Sequence, residues 1–295
     1  MLRVRVPATS ANLGPGFDAL GVAVDLYLEV MLQPSERDEF HYQGDGPAPQ
    51  AEGNLVHLGF KSVYAALGLE APPVALHVNN PIPLARGLGS SSAALVAGGA
   101  LADGLLGEPL GRDGVFRLMA AHEGHPDNVG PAVYGHLTVA AQDERGDFHA
   151  ASLPVPQSWR FLFASPSFEL PTSEARAALP DSYPRSDLVL TSSRTALWLA
   201  AAALDKPELL ATASLDVVHT PYRTPLVPGL SEVLVSLRAA GAWAAFLSGA
   251  GPTVGAVVDD DHLDACRNAL RSFVGETGLV MTRAPASGYV LHKRS

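Results

Sequence analysis

Cysteine is almost missing from this chain: a single Cys266 in 295 residues excludes an internal disulfide and any zinc site built from four thiolates. Positive charge is short as well. Twenty Lys and Arg stand against thirty Asp and Glu, for a formal net charge of -10. A nucleic acid or an anionic membrane therefore has no electrostatic basis as a partner, and an anionic substrate would need a local basic pocket. Long apolar runs are absent too: the alanine-rich stretches are interrupted by charge or glycine, and MLRVRVPATSAN lacks a signal-peptide core. A cytoplasmic protein is the expectation. What is present is 47% hydrophobic residues in a length that suits two packed domains or one large one, with no internal repeat and no low-complexity tail.

The stretch that organises the rest is NPIPLARGLGSSSAALVAGGALADGLL, Asn80 to Leu106. Pro81 and Pro83 lack amide donors, and Gly87 and Gly89 favour open turns, so neither helix nor central strand continues here. From Ser90 the apolar residues Ala94, Ala97, Leu101 and Leu105 recur at helical spacing. Three hydroxyls then sit at a helix N-terminus, where unpaired N–H groups and the positive dipole end attract anions. A phosphate-binding loop is one reading; a capped helix behind a Gly/Pro turn is the other. Two familiar phosphate loops are excluded directly. No Lys follows Gly89, and Gly87-Leu88-Gly89-Ser90-Ser91-Ser92 lacks the third glycine of a dinucleotide fingerprint.

Around this stretch the pattern predicts a strand at Leu2 to Val6, a loop at Ala8 to Gly21 holding Ser10, Asn12 and Asp18, and a strand at Val22 to Met31. Phe40 to Glu52 reads as a loop or weak hairpin, Asn54 to Leu67 as an amphipathic helix, Val74 to Val78 as a strand, and Arg112 to Glu123 as a helix between Gly111 and Gly124. Glu123, His125, Asp127 and Asn128 gather at that helix's end, before a strand from Tyr134 to Ala141. Zinc-protease chemistry is not encoded there, because His122 and His125 are three apart rather than four. Turn-rich Gly146 to Ser158 is the expected boundary between domains 1–155 and 156–295. Beyond it come a strand at Trp159 to Ala164, a helical region from about Ser173 to Leu210, a helix at Leu230 to Ala240, strands at Ala242 to Leu247 and Thr253 to Val258, a helix at Asp261 to Gly275 and a strand at Leu279 to Ala284. Without the extra helices this is β-α-β-β-α-β, the ferredoxin-like order.

Three separated segments, PATSANLGPGFDALG at Pro7 to Gly21, GLGSSSA at Gly87 to Ala93 and LSGAGPT at Leu247 to Thr253, resemble the signature segments of the GHMP small-molecule kinases. PATSANLGPGFD together with EGHPDNVGPA is similar, within that superfamily, to the homoserine kinases. The resemblance covers nearly the whole chain. It implies an α+β, two-domain GHMP kinase fold, with an N-terminal domain like domain 2 of ribosomal protein S5 and a C-terminal ferredoxin-like domain. It also implies ATP-dependent phosphorylation of the side-chain hydroxyl of L-homoserine, on the route to threonine. ATP and Mg2+ are the implied cofactors, and a homodimer is the expectation, since family members are often dimers.

Residue by residue, the resemblance assigns Pro83, Arg86, Gly87, Leu88, Gly89, Ser90, Ser91, Ser92 and Ala93 to the nucleotide's phosphates, and Glu123 with a hydroxyl of the serine run, Ser91, to the metal. Asn54 matches a position near the nucleotide base, although a helix cap explains it nearly as well. Arg176 and Arg223 match carboxylate-binding arginines, and a guanidinium can grip a carboxylate through two bonds. Asp18 would take the substrate's ammonium, Asn12, His125 and Asn128 would orient its amino and hydroxyl ends, and Thr172 and Gly249 would close the pocket. Sister kinases resemble P-A-K-x-N-L in the first segment, with the lysine paired to a catalytic aspartate. Here Ser10 stands at the lysine's place and Asn128 at the aspartate's, so an acid–lysine base is missing. Catalysis is then expected to rest on Asn128, Glu123 and Ser91 through positioning and charge stabilisation.

Overall fold

The computed structural model describes residues 2–44 and 54–293. The chain opens with two long antiparallel strands, β1 (Leu2–Asn12) and β2 (Gly16–Pro34), whose register shifts at Pro7/Ala8 and Ala11/Asn12. The loop expected from Ala8 to Gly21 is thus mostly strand, with only residues 13–15 turning. Apolar alternation fails there because Thr9 and Ser10 are buried against polar partners, so polar side chains do not mark an exit from the sheet. A second correction concerns Phe40 to Glu52. Its first part is a strand, β3 (Glu39–Gly44), parallel to β4 (Val74–Asn80), and the rest lies outside the described residues.

Helix α1 (Leu55–Ala66) starts where Asn54 accepts the N–H bonds of Val56 and His57 at 2.9 and 3.3 Å. It crosses α2 (Ser90–Leu105) at backbone distance: a Cβ on Gly59 would lie 2.2 Å from Leu95 O, and one on Gly98 2.0 Å from Val56 O. These two glycines seat α2 deep in the core, with its N-terminus at the β4 end. Helix α3 (Gly111–Glu123) stops at Gly124, whose φ of 84° is left-handed. A short α4 (Val129–Tyr134) follows, then the hairpin β5 (Leu137–Gln142) and β6 (Phe148–Leu153). Strand was expected from Tyr134 onward and turn through residues 146–158. Pro131 hid α4, although a proline in a first helical turn costs little, and the prolines after β6 obscured a strand of six residues.

The second half supplies β7 (Arg160–Ser165), α5 (Thr172–Ala177), α6 (Arg185–Leu204), the single turns α7 (Leu210–Ala213) and α8 (Thr220–Arg223), α9 (Leu230–Ala239), the strands β8 (Ala244–Leu247) and β9 (Val254–Val258), α10 (Leu263–Val274) and β10 (Leu279–Arg283). The helical region expected from Ser173 to Leu210 is broken where Pro180 and Pro184 stop α5 and admit α6. These strands form one antiparallel sheet, ordered β10-β7-β9-β8, which is the ferredoxin-like arrangement. A last strand, β11 (Val290–Lys293), returns to pair with β1, so the larger sheet runs β11-β1-β2-β4-β3, with β5 on β2 and β6 on β5.

Side chains alternate across the smaller sheet. Leu162, Ala164, Ala245, Leu247, Ala256 and Val258 pack under α9 and α10, while Phe161, Phe163, Phe246 and Val257 join the core of the larger sheet, where Trp159 and Trp198 meet edge to face. The halves therefore share apolar packing, and their facing loops are held in fixed relation around one cleft.

Candidate active site

The cleft encloses ≈ 380 Å³ between the bend after β4, the β1–β2 turn, the ends of α3, α5 and α8, and the β8–β9 connection. At its floor, Asn80 donates to Ser90 Oγ at 3.0 Å and accepts the Ile82 N–H at 3.1 Å, tying the end of β4 to the start of α2. The bend between them is fixed by Gly87 and Gly89, both at left-handed φ. A Cβ on Gly89 would lie 1.9 Å from Thr9 Oγ1, so no larger residue fits. Ser248, which accepts from Ser10 at 2.7 Å, donates to Gly87 O at 2.6 Å and pins the bend to the second half. Gly89 gives α2 no side-chain cap, leaving its first N–H groups to face the cleft.

Pro83, Arg86, Gly87, Leu88, Gly89, Ser90 and Ser91 all line this cleft. Ser92 and Ala93 do not. Successive helical residues turn by about 100°, so a serine triplet cannot present all three hydroxyls to one side, and both residues are fully buried in the core. Ser91 instead donates to Glu123 Oε1 at 2.7 Å, joining the two residues expected to hold a metal. The other carboxylate oxygen, Glu123 Oε2, is buried with no partner in the structure. At the end of the cleft beside α1, Asn54 keeps an unpartnered buried Nδ2 while its Oδ1 caps the helix, so the cap leaves the amide nitrogen uncommitted. Phe40 and Tyr42 of β3 stack there, 6.2 Å between centroids and 19° between planes, beside Leu55 and Val78.

The opposite end is charged. Asn12 donates to Gly249 O at 3.0 Å and accepts the Asp18 N–H at 3.1 Å, which holds the β1–β2 turn against the β8–β9 connection. Asp18 receives both guanidinium arms of Arg176, at 2.7 and 2.9 Å, and Thr172 stands one turn earlier on α5. Arg223 is buried: its Nε donates to Ala175 O, and its Nη1 to Gly249 O and to His219 Nδ1, at 3.0, 3.0 and 3.2 Å. Burial, and after it the charge of Arg176, lowers the Arg223 guanidinium to about 10, so it stays cationic at neutral pH. Both guanidinium groups flank the Phe17 ring, at 5.6 and 5.5 Å. His125 bonds Asp127 at 2.7 Å, and ligand atoms of Asp18, His125 and Asp127 all lie within 4.8 Å of one another. Burial opposes protonation of His125, but the bond to Asp127 and its charge outweigh this, and the imidazole is raised above its usual value. Asn128 accepts from the Thr9 hydroxyl at 2.8 Å.

Every expected residue other than Ser92 and Ala93 is thus brought to one cleft. Asp127, a second acidic contributor or a loop cap on the sequence alone and given no site role there, has its carboxylate between His125 and Asn128. The sequence reading gives no role to three further residues. It missed Phe40 and Tyr42 because their segment read as loop, and His219 because nothing in HTPYR singles out its first residue. Asn80 carried a usable signal: a buried polar residue closing an apolar strand must find a partner.

Two family models match the chain: the GHMP kinases N-terminal domain over residues 54–136 and the GHMP kinases C-terminal domain over residues 199–276. A homoserine kinase of Thermus thermophilus is 48% identical over 287 residues, which cover 97% of each chain. One from Carboxydothermus hydrogenoformans is 40% identical over 295 residues, covering 98% of this chain and 96% of the relative. Among solved structures, homoserine kinase from Cytophaga hutchinsonii superposes with a TM-score of 0.87 at 27% identity, over 99% of this chain and 97% of that one. Mevalonate kinase of L. major, at 16% identity and a TM-score of 0.68 over 96% of each chain, shares the fold.

Proposed function

The chain belongs to the GHMP kinases, in the branch of the homoserine kinases, and from that premise we propose that its cleft holds ATP and L-homoserine end to end. The enzyme is a phosphotransferase that moves a phosphoryl group from ATP to the side-chain hydroxyl of L-homoserine, giving O-phospho-L-homoserine and ADP on the route to threonine. The observation that carries the placement is the polarity of the cleft. One end offers aromatic rings and an unpartnered amide, the middle an uncapped helix start with Ser91 and Glu123, and the far end two guanidinium groups facing two carboxylates.

In this reading the adenine lies against Phe40 and Tyr42 with Asn54 Nδ2 as a donor, and the polyphosphate lies along Gly87 to Ser91 and the first N–H groups of α2. Ser92 and Ala93 support that turn from inside the core. A divalent cation fits beside Glu123, because a buried carboxylate oxygen without a partner next to a hydroxyl is the donor set Mg2+ takes together with phosphate oxygens and water. Bound there, Mg2+ would neutralise charge on the β- and γ-phosphates. Homoserine brings its ammonium to Asp18 and its carboxylate to Arg176 and Arg223, with Asn12, Thr172 and Gly249 closing the wall and its hydroxyl toward His125 and Asn128. No acid–lysine pair faces that hydroxyl, since Asn128 meets neutral Thr9 and Ser10 meets Ser248. A loose transition state tolerates this, because little proton removal precedes cleavage of the P–O bond.

A cytoplasmic location, a homodimer and a division near residue 155 complete the proposal; no helix among the described residues is long and apolar enough to cross a membrane. Release of ADP with L-homoserine, mevalonate and galactose as competing acceptors tests the reading. Homoserine should be favoured by orders of magnitude, and equal use of another alcohol would overturn it.

A further inference from the structure

Asn128 is held from two sides, by a hydroxyl that can donate or accept and by a carboxylate that only accepts. The Thr9 hydroxyl, fully buried on β1, donates to Asn128 Oδ1 at 2.8 Å, while Asn128 Nδ2 faces Asp127 Oδ1 at 3.4 Å. A carboxylate only accepts, so a flipped amide would turn its carbonyl oxygen onto a carboxylate oxygen: Asp127 sets the orientation of the amide, and Thr9 holds its position. Thr9 also reaches the phosphate-binding bend. Its N–H donates to Leu88 O at 3.2 Å, and its Oγ1 fills the space a Cβ on Gly89 would need. One residue thereby joins the amide that meets the acceptor hydroxyl to the bend that meets the transferring phosphate.

We propose that Thr9 is a positioning residue for phosphoryl transfer: it locks the Asn128 amide, in the orientation that Asp127 imposes, in register with the Gly87–Gly89 bend. This rests on the reading of Asn128 as the group that orients the acceptor hydroxyl. In the fixed orientation Asn128 offers N–H to the attacking oxygen rather than a carbonyl oxygen to its proton. Asn128 therefore aligns the nucleophile and does not take its proton.

The test compares Thr9→Val, which removes the hydroxyl at nearly constant volume, with Thr9→Ser, which keeps it. Thr9→Val should lower kcat by roughly 10- to 100-fold, the scale of a misaligned reacting pair, with KM for ATP and for homoserine within about threefold of wild type, a tolerance well inside the tenfold steps that 1.4 kcal/mol represents. Thr9→Ser should recover most of kcat. Wild-type kcat in Thr9→Val, or an equal loss in Thr9→Ser, overturns the proposal, as does a loss carried by the two KM values instead of kcat. Thr9→Ala takes the place of Thr9→Val if the valine variant fails to fold. Asn128→Ala separates the layers of the argument: unchanged kcat in that variant defeats the reading of Asn128 itself. If Asn128→Ala is slow, the double variant with Thr9→Val should be no slower, and additive losses would show that Thr9 acts elsewhere.

Discussion

Asp18 and Arg176 are joined by two parallel hydrogen bonds, of 2.7 and 2.9 Å, across the charged end of the cleft. The pair is about a third exposed on each side, so it contributes little to stability, on the order of 0–1 kcal/mol. A pair this weak can open for a ligand that carries both charges. Homoserine is such a ligand: its ammonium and carboxylate present to each residue the charge that its partner gives up. Asp18→Asn should therefore raise KM for homoserine by roughly 10- to 100-fold, the worth of one hydrogen bond to a charged group, and leave KM for ATP unchanged. Steady-state kinetics with each substrate varied in turn would show it. An unaltered homoserine KM would place the ammonium elsewhere.

Glu123 offers a buried oxygen without a partner, and Ser91 holds the other. Glu123→Gln should lower turnover by roughly 100-fold or more, as removal of a transition-state charge partner does, and should raise the Mg2+ concentration needed for half-maximal rate. Wild-type turnover across a Mg2+ titration would remove Glu123 from the metal site.

Arg223 has three of its five N–H groups committed to the protein, which fixes the planar group and leaves the two on Nη2 for the carboxylate proposed there. Arg223→Ala should cost roughly 2–5 kcal/mol in kcat/KM for homoserine, the range for truncating one partner of a desolvated pair. Arg223→Lys should restore little of it, because an ammonium cannot reproduce the three bonds that hold the planar group in place while presenting its remaining N–H groups. Recovery by lysine to near wild type would mean that only charge matters.

His219 lies fully buried between Gly14 and Arg223. A carbonyl oxygen only accepts, so Nε2–H donates to Gly14 O at 2.7 Å and Nδ1 accepts from Arg223: the imidazole is neutral. Burial lowers its protonation below the usual value, against the attraction of Asp216 and Asp18 and with the repulsion of Arg223. The unfolded chain then binds more protons than the native one below a pH of about 6.5, and stability falls as pH drops from there. His125, raised by Asp127 against the opposing effect of its own burial, acts oppositely, contributing stability below that pH that fades as pH rises through its folded value. Thermal unfolding should show a fall in Tm on acidification that is shallower in His219→Gln than in wild type. An identical slope would exclude His219 as a source of acid lability.

Legibility in the sequence followed the physics of each segment. The bend and helix at Asn80 to Leu106 were readable because proline, glycine and a helical apolar period are local signals, and the alternating strands of the second half showed their order for the same reason. Asn12, Asp18, Arg176, Arg223 and Gly249 come from four distant segments, and only the match to family segments could name them together. Local pattern failed where tertiary partners decide. Thr9 and Ser10 look like loop residues until their buried partners are seen, β11 pairs with the far end of the chain, and Ser92 differs from Ser91 only by about 100° of rotation around the helix.

A crystal structure with a non-hydrolysable ATP analogue, Mg2+ and L-homoserine would show both ligands in the cleft at once. The terminal phosphate is expected at the Gly87 to Ser91 bend and the cation on Glu123. The amino acid is expected spread between Asp18 and the two arginines, with its hydroxyl beside Asn128 and aimed at the phosphorus. An empty bend, or homoserine bound with Asp18 and Arg176 still joined to each other, would contradict this placement.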